Sequence, residues 1–275
     1  MSQSPTPADM LLTAERAVEA GARMLRQGRS HVGALIAKGD RDFATAVDLR
    51  IEETVKAMLG AELPGVPFLG EEGGGAKLDE GRLWVLDPID GTVNFAHGSP
   101  LCAISLALVE DGRPTLAVVD LPLLGERYVA ASGAGTYRNG HRVRISQVDS
   151  LAEATIGMSD FAVGSNAEAE TGVHLELTRT LATQALRVRM HGSEAVDLAW
   201  LASGRLDASV MLSSLPWDVS GGVLLVREAG GRVFCADGTP HGLGSESTLA
   251  STPELRESLV QIVGAATRRA YEAAR

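Results

Sequence analysis

Residues 84–95 read WVLDPIDGTVNF, and this stretch constrains the backbone more tightly than its surroundings. Residues 83–86 (LWVL) are four apolar residues in a row, the pattern of a buried strand. Pro88 has no N–H to give to a ladder and biases Asp87 away from helix, so the strand is expected to end at Asp87-Pro88. Asp87 and Asp90 would then lie on a tight loop just beyond it. Gly91 relieves the steric limit where the chain turns. A helix starting there would leave the N–H groups of Gly91 and Thr92 pointing outward, as anion donors do.

Two carboxylates three residues apart, with the Ile89 carbonyl between them, suit a hard cation. Mg²⁺ takes oxygen ligands and is commonly held by one or two carboxylates together with substrate phosphate. The same spacing also suits a capped turn in which both aspartates bind loop amides. The remainder of the chain separates these readings. Gly70-Glu71-Glu72 precedes the stretch, and Trp217-Asp218-Val219-Ser220-Gly221-Gly222 follows it much later. The ordered set GEE, WxxDPxDGTxNF and WDxxxG resembles the inositol monophosphatase family, over nearly the whole chain from about Ala14 to the last helix.

The resemblance implies an α+β fold in α-β-α-β-α layers and a Mg²⁺-dependent phosphomonoesterase. It implies Glu71, Asp87, the Ile89 carbonyl, Asp90 and Asp218 as metal ligands for two or three Mg²⁺ ions. Four carboxylates clustered without a cation would repel one another and raise their pKa values. Glu71 and Thr92, with Asp48 behind Thr92, would orient and deprotonate a water that attacks phosphorus. The amides of Gly91 and Thr92 would hold phosphate oxygens. Lys38 matches a lysine of the family; without the resemblance it reads as a solvated surface charge. Asp48 and Asp218, read without it, are helix caps.

Composition narrows the partners. A net charge of −10, with no extended basic cluster, argues against nucleic acid and anionic membranes. The N-terminal MSQSPTPADM lacks the pattern of a secretory signal, and residues 101–109, the longest apolar run, are too short to span a bilayer. A cytoplasmic enzyme follows as the default. Cys102 and Cys235 are expected to be buried fillers.

Along the chain, residues 1–7 are polar and expected to be disordered. Leu11, Ala14, Val18, Ala22 and Leu25 make one apolar helical stripe ending at Gln27-Gly28. Asp48 is placed to cap a second helix with Ile51, Val55 and Met58 on one face. Gly73-Gly74-Gly75 leads a flexible segment to Lys77. Residues 101–109, 115–119, 127–131, 136–138 and 142–145 read as an antiparallel meander with turns at Asp111-Gly112 and Asn139-Gly140. This gives an N-terminal α+β half, residues 1–147. The C-terminal half, 148–275, opens with a strand at 154–158. A polar stretch at 164–171 and a helix to about Ala185 follow. A helix through 198–202, a strand at 207–211, a helix 219–228 capped by Asp218 and a last helix opened by Pro253 complete it.

Two positions depart from the family. Met211 stands seven residues before Asp218, where inositol phosphatases commonly have a sugar-binding Glu. Glu194 stands where relatives usually have a small residue. Glu194 is read as contacting substrate in place of the missing carboxylate, as pairing with a cationic substrate, or as a helix-start Glu facing solvent. His97 and His191 read as ordinary hydrogen-bonded or exposed histidines near the site. The leading function is hydrolysis of inositol 1-phosphate or a similar small polyol phosphate. The alternatives are a histidinol-phosphatase and, from another class, a non-catalytic sugar-phosphate or metal-binding protein. Nucleotide-3′-phosphatase and fructose-1,6-bisphosphatase activities are disfavoured because no basic patch awaits a second phosphate. The resemblance also implies a homodimer.

Overall fold

The computed structural model describes residues 5–29, 35–39, 42–77, 81–163 and 167–273. Helix α1 (Pro7–Gly28) starts with a capping box. Thr6 Oγ1 accepts from the Asp9 N–H while the Asp9 carboxylate accepts from the Thr6 N–H, and Pro7 takes the first helical position, where its missing N–H is no loss. The expected disorder therefore does not extend to Thr6 and Pro7; residues 1–4 lie outside the described residues. Strands β1 (Ile36–Gly39) and β2 (Asp42–Ala44) pair as an antiparallel hairpin. Helix α2 (Ala46–Glu62) is capped by Thr45 and not by Asp48. Asp48 is the third helical residue and reaches back to the Thr45 N–H at 2.9 Å, which leaves its other oxygen directed away from the helix end.

Strands β3 (Phe68–Gly70), β4 (Gly74–Gly75) and β5 (Arg82–Asp90) follow, then the short helix α3 (Thr92–Ala96). The Gly74-Gly75 pair, expected to be flexible, is laddered to β3. The strand expected to stop at Asp87-Pro88 continues to Asp90. Asp87 pairs with Ser105 and Asp90 with Ala103, so an extra residue bulges at Pro88-Ile89, where a missing N–H breaks no ladder bond. The meander is β6 (Ala103–Glu110), β7 (Arg113–Leu121), β8 (Glu126–Ala131), β9 (Gly135–Arg138) and β10 (His141–Val143). Asp111 and Gly112, and Asn139 and Gly140, all have positive φ, as two-residue hairpin turns require. The sheet runs β10-β9-β8-β7-β6-β5-β3-β4, and β3 pairs parallel with β5, a departure from a wholly antiparallel sheet.

The remaining elements are β11 (Thr155–Met158), α4 (Ala167–Gln184), β12 (Arg187–Arg189), α5 (Glu194–Ala202), β13 (Ala208–Met211), α6 (Pro216–Glu228), β14 (Arg232–Phe234), β15 (Thr248–Ser251) and α7 (Arg256–Ala273). Part of the expected polar stretch, residues 164–166, lies outside the described residues. The second sheet runs β12-β11-β13-β15-β14, with β11 parallel to both neighbours and β15 antiparallel to both of its own. Pro253 sits in a turn before α7 and does not open it. Asp218, like Asp48, is the third residue of its helix and not its cap.

Three apolar layers hold these elements together. Val18 and Leu25 of α1 and Ile51 and Val55 of α2 pack on Trp84, Leu86, Ile104 and Leu106 of the large sheet. On that sheet's other face, Ala117, Val119 and Leu121 meet Leu198 of α5 and Val223 of α6, which also touch Met211 and Ala250 of the second sheet. Leu177 and Leu181 of α4 and Leu259 and Val263 of α7 cover the far side against Ile156 and Val210. The order is helix pair, sheet, helix pair, sheet, helix pair. Each fully buried Leu or Val in it contributes about 1.5–3 kcal/mol of transfer free energy. Cys102 is fully buried, whereas Cys235 is half-buried beside Ser245.

Candidate active site

The bulged end of β5, the turn after β3 and the N-termini of α3, α5 and α6 meet around a cavity of about 300 Å³ lined by Glu71, Asp87, Asp90, Thr92, Glu194 and Asp218, among others. Ile89 and Gly91 line it as well. Gly91 has φ +85°, and a Cβ there would stand 2.9 Å from the Leu101 carbonyl oxygen and 3.0 Å from that of Gly192. Only glycine fits where these segments approach so closely. Asn94 secures them, donating to the carbonyls of Leu101 (2.8 Å) and His191 (2.6 Å).

Each acidic side chain is placed by a local device. Asp48, fully buried, accepts from Thr92 Oγ1 at 3.2 Å, and the same hydroxyl lies 2.9 Å from the Ile89 carbonyl oxygen. Asp90 Oδ2 accepts from Ser193 Oγ at 2.6 Å and from the Ala195 N–H at 2.5 Å. Asp218 Oδ2 accepts from the Leu215 N–H at 3.1 Å. A Cβ on Gly222 would overlap the Leu198 side chain, so glycine there lets α6 lie against α5 and carry Asp218 to the cavity. Glu71 is fixed through its own N–H on the Leu86 carbonyl at 3.1 Å, and its carboxylate takes Lys38 Nζ at 2.5 Å. Lys38 also donates to Glu72 at 2.9 Å, so it is no free surface charge.

The electrostatics are those of crowded anions. Burial, then the charges of Glu71, Asp90 and Asp218, push Asp87 well above the usual carboxylate range. Asp90 is pushed up to about 7, burial outweighing its hydrogen bonds from Ser193 and Ala195. Asp218 and Glu194 are raised well above their ordinary values by burial first and by neighbouring carboxylates second. Burial also raises Glu71, opposed by Lys38, and Asp48, opposed by Thr45. Asp87 Oδ1 and Glu194 Oε2 are buried with no hydrogen-bond partner among the described residues.

Hard, anionic oxygens in mutual repulsion, that of Asp87 orphaned among them, are the donor set a cation such as Mg²⁺ satisfies. Among the described residues no three Asp, Glu, His or Cys side chains stand arranged as they would to hold a metal ion. Glu71 is turned to Lys38. The residues present nevertheless fit a hard divalent ion by donor type, by the unpaired Asp87 oxygen and by the charge they concentrate.

Glu194 does not face solvent as one of its sequence readings held. It lines the cavity and also an adjoining one of about 230 Å³ with Asp160, Phe161, Glu170 and His174. Met211 is fully buried in the core between the sheets. His97 is exposed, with Nδ1 2.9 Å from the Val93 carbonyl oxygen, and His191 Nδ1 lies 2.5 Å from Asp197. Sequence reasoning missed Ser193, Asn94 and Glu52. Asn94 stands inside the recognised motif, but nothing local marks the other two. A groove of about 370 Å³ beside α1 is also polar, yet its Arg127 is already paired with Glu19 and with Asp120.

Comparison with known proteins matches the chain to a family. The model of the inositol monophosphatase family matches residues 7–268. An inositol-1-monophosphatase ImpA of Mycolicibacterium smegmatis is 40% identical over 228 residues, covering 83% of this chain and 82% of the relative. Inositol monophosphatase 1 of Solanum lycopersicum is 31% identical over 266 residues, covering 95% and 97%. The solved structure of a Thermotoga maritima IMPase superposes with a TM-score of 0.85 at 29% identity, covering 93% of this chain and 96% of that one.

Proposed function

The chain belongs to the inositol monophosphatase family and is a phosphoric monoester hydrolase, and on that premise we propose that it hydrolyses inositol 1-phosphate or a similar small polyol phosphate with Mg²⁺. The observation that carries this reading is the gathering of Glu71, Asp87, Asp90 and Asp218 around one cavity with Thr92 held by Asp48. In this reading Glu71, Asp87, the Ile89 carbonyl, Asp90 and Asp218 would hold two or three Mg²⁺ ions. When bound, the cations neutralise phosphate and carboxylate charge and lower the pKa of water.

The chain's own residues do the rest. Thr92 Oγ1 has one proton and two acceptors, Asp48 Oδ1 and the Ile89 carbonyl, so its lone pairs are directed outward to receive a hydrogen bond from the attacking water. Glu71 takes the proton of that water as its oxygen bonds phosphorus and the ester P–O bond breaks, the leaving alkoxide takes a proton from solvent, and Asp48 fixes the Thr92 rotamer. The N–H groups of Gly91 and Thr92 hold phosphate oxygens. Glu194, at the border of the two cavities, contacts hydroxyls of the leaving group in place of the carboxylate lost at Met211.

The names of the relatives do not favour the histidinol-phosphatase alternative. Among the described residues no helix is long and apolar enough to cross a membrane. A cytoplasmic homodimer belongs to the same proposal. Leu186 and Met190, 48% and 39% exposed at the ends of the edge strand β12, support a subunit contact.

The test is phosphate release with Mg²⁺ from inositol 1-phosphate, glycerol 2-phosphate, histidinol phosphate and adenosine 3′,5′-bisphosphate. Preference for the first two is expected. Preference for histidinol phosphate overturns the substrate class, and silence on all four overturns the catalytic reading.

A further inference from the structure

Glu52 is 5% exposed, one turn beyond Asp48 on the same face of α2. Its carboxylate makes a fork under the turn that follows β3: Oε2 accepts from the Glu72 N–H at 2.9 Å and Oε1 from the Gly73 N–H at 2.7 Å. The flanking glycines are shaped by this carboxylate. A Cβ on Gly70 would overlap the Glu52 carboxyl group, and one on Gly73 would stand 2.7 Å from Oε1. Glu71 lies between them. Its own N–H is taken by Leu86, and the next two N–H groups are taken by Glu52.

We propose that Glu52 is the positioning residue for Glu71, and that the glycines of the Gly70-Glu71-Glu72-Gly73 turn are there to admit its carboxylate. This rests on the reading of Glu71 as a cation ligand given above. A buried carboxylate accepting two consecutive backbone N–H groups makes two charge-assisted hydrogen bonds, which define the turn more sharply than water would. Helix α2 thereby serves the site twice, at Thr92 through Asp48 and at Glu71 through Glu52. Replacement by Gln keeps the shape but sets an NH₂ against one of the two N–H donors, so the turn must shift and carry Glu71 with it.

Isothermal titration of the full chain with MgCl₂, alone and without substrate, tests this in Glu52→Gln, Glu71→Gln and the double variant. Glu52→Gln is expected to weaken Mg²⁺ binding about tenfold, in the range seen for residues that orient metal ligands. Glu71→Gln should weaken it at least as much, and the double variant no further, since Glu52 acts through Glu71. Unchanged affinity in Glu52→Gln overturns the proposal, and so do additive losses. Unchanged affinity in Glu71→Gln overturns the ligand reading and the proposal with it, and is told apart because it appears in that single variant. If thermal melting shows that Glu52→Gln does not fold, Gly73→Ala displaces the carboxylate from the loop side. It should give the same non-additive loss, and unchanged affinity there overturns the proposal equally.

Discussion

Thr92 Oγ1 stands 3.2 Å from Asp48 Oδ1, while Asp48 Oδ2 closes the capping box of α2 on the Thr45 N–H. One buried carboxylate thus starts a helix with one oxygen and holds the proposed water-orienting hydroxyl with the other. The two roles can be separated. Thr45→Ala is expected to cost about 1 kcal/mol of stability, as lost N-caps do, and to change kcat less than threefold. Asp48→Asn should lower kcat about a hundredfold with little change in KM. Denaturant melts and steady-state kinetics of both variants check this, and equal effects on kcat would count against the division.

The crowded carboxylates make a prediction about pH. The folded-state pKa values of Asp87, Asp90 and Asp218 are raised, Asp90 to about 7. Groups raised in this way favour the fold fully below their unfolded values, near 4, and lose that contribution as pH rises through the folded ones. The chelator-treated protein should therefore become less stable from about pH 4 to beyond pH 7. Saturating Mg²⁺ should reverse the loss, adding about 2.7 kcal/mol at a hundredfold excess over Kd. Thermal melts across pH, with EDTA and with MgCl₂, read both arms. Identical melting temperatures in the two would sink the reading.

Glu194, between the two cavities, carries a buried oxygen without a hydrogen-bond partner among the described residues. Glu194→Gln is expected to raise KM for inositol 1-phosphate about tenfold, the loss of one hydrogen bond to a buried carboxyl group, and to change kcat less. The metal-free variant should also melt higher, because a buried, uncompensated acid is gone. Unchanged KM on every polyol phosphate tested would remove Glu194 from the substrate site.

Gly222 is where α6 meets Leu198. Gly222→Ala should destabilise the fold by about 1–3 kcal/mol through overpacking. It should also weaken Mg²⁺ binding, because α6 must move and Asp218 rides on its first turn. Urea unfolding and magnesium titration check the pair of effects. A loss of stability with unchanged metal affinity would show that the helix end does not depend on this contact.

Much of the design is local and could be read before any coordinates. The DG and NG turns demand positive φ and predict their hairpins, the alternation and apolar runs predict the meander, and the apolar stripe predicts α1. The motif set carried the candidate carboxylates. Where local reading failed, the misses have physical causes. Pro88 was expected to end a strand, yet a bulge absorbs a residue without an N–H. Spacing alone makes Asp48 and Asp218 caps, yet each sits two residues inside its helix, a register decided by Thr45 in one case and by Pro216 in the other.

What the sequence by itself determined is the chemistry on offer: hard oxygen donors, a glycine that can turn at position 91, and helix starts able to hold carboxylates. Only the tertiary structure decided which of these meet. Packing makes Glu194 a lining residue of the cavity and Ser193 the donor to Asp90, and it brings Glu52 of α2 under the turn that bears Glu71. Such pairings join residues far apart in the chain through packing of whole layers. No local pattern encodes the distance between two surfaces that close only when both are buried.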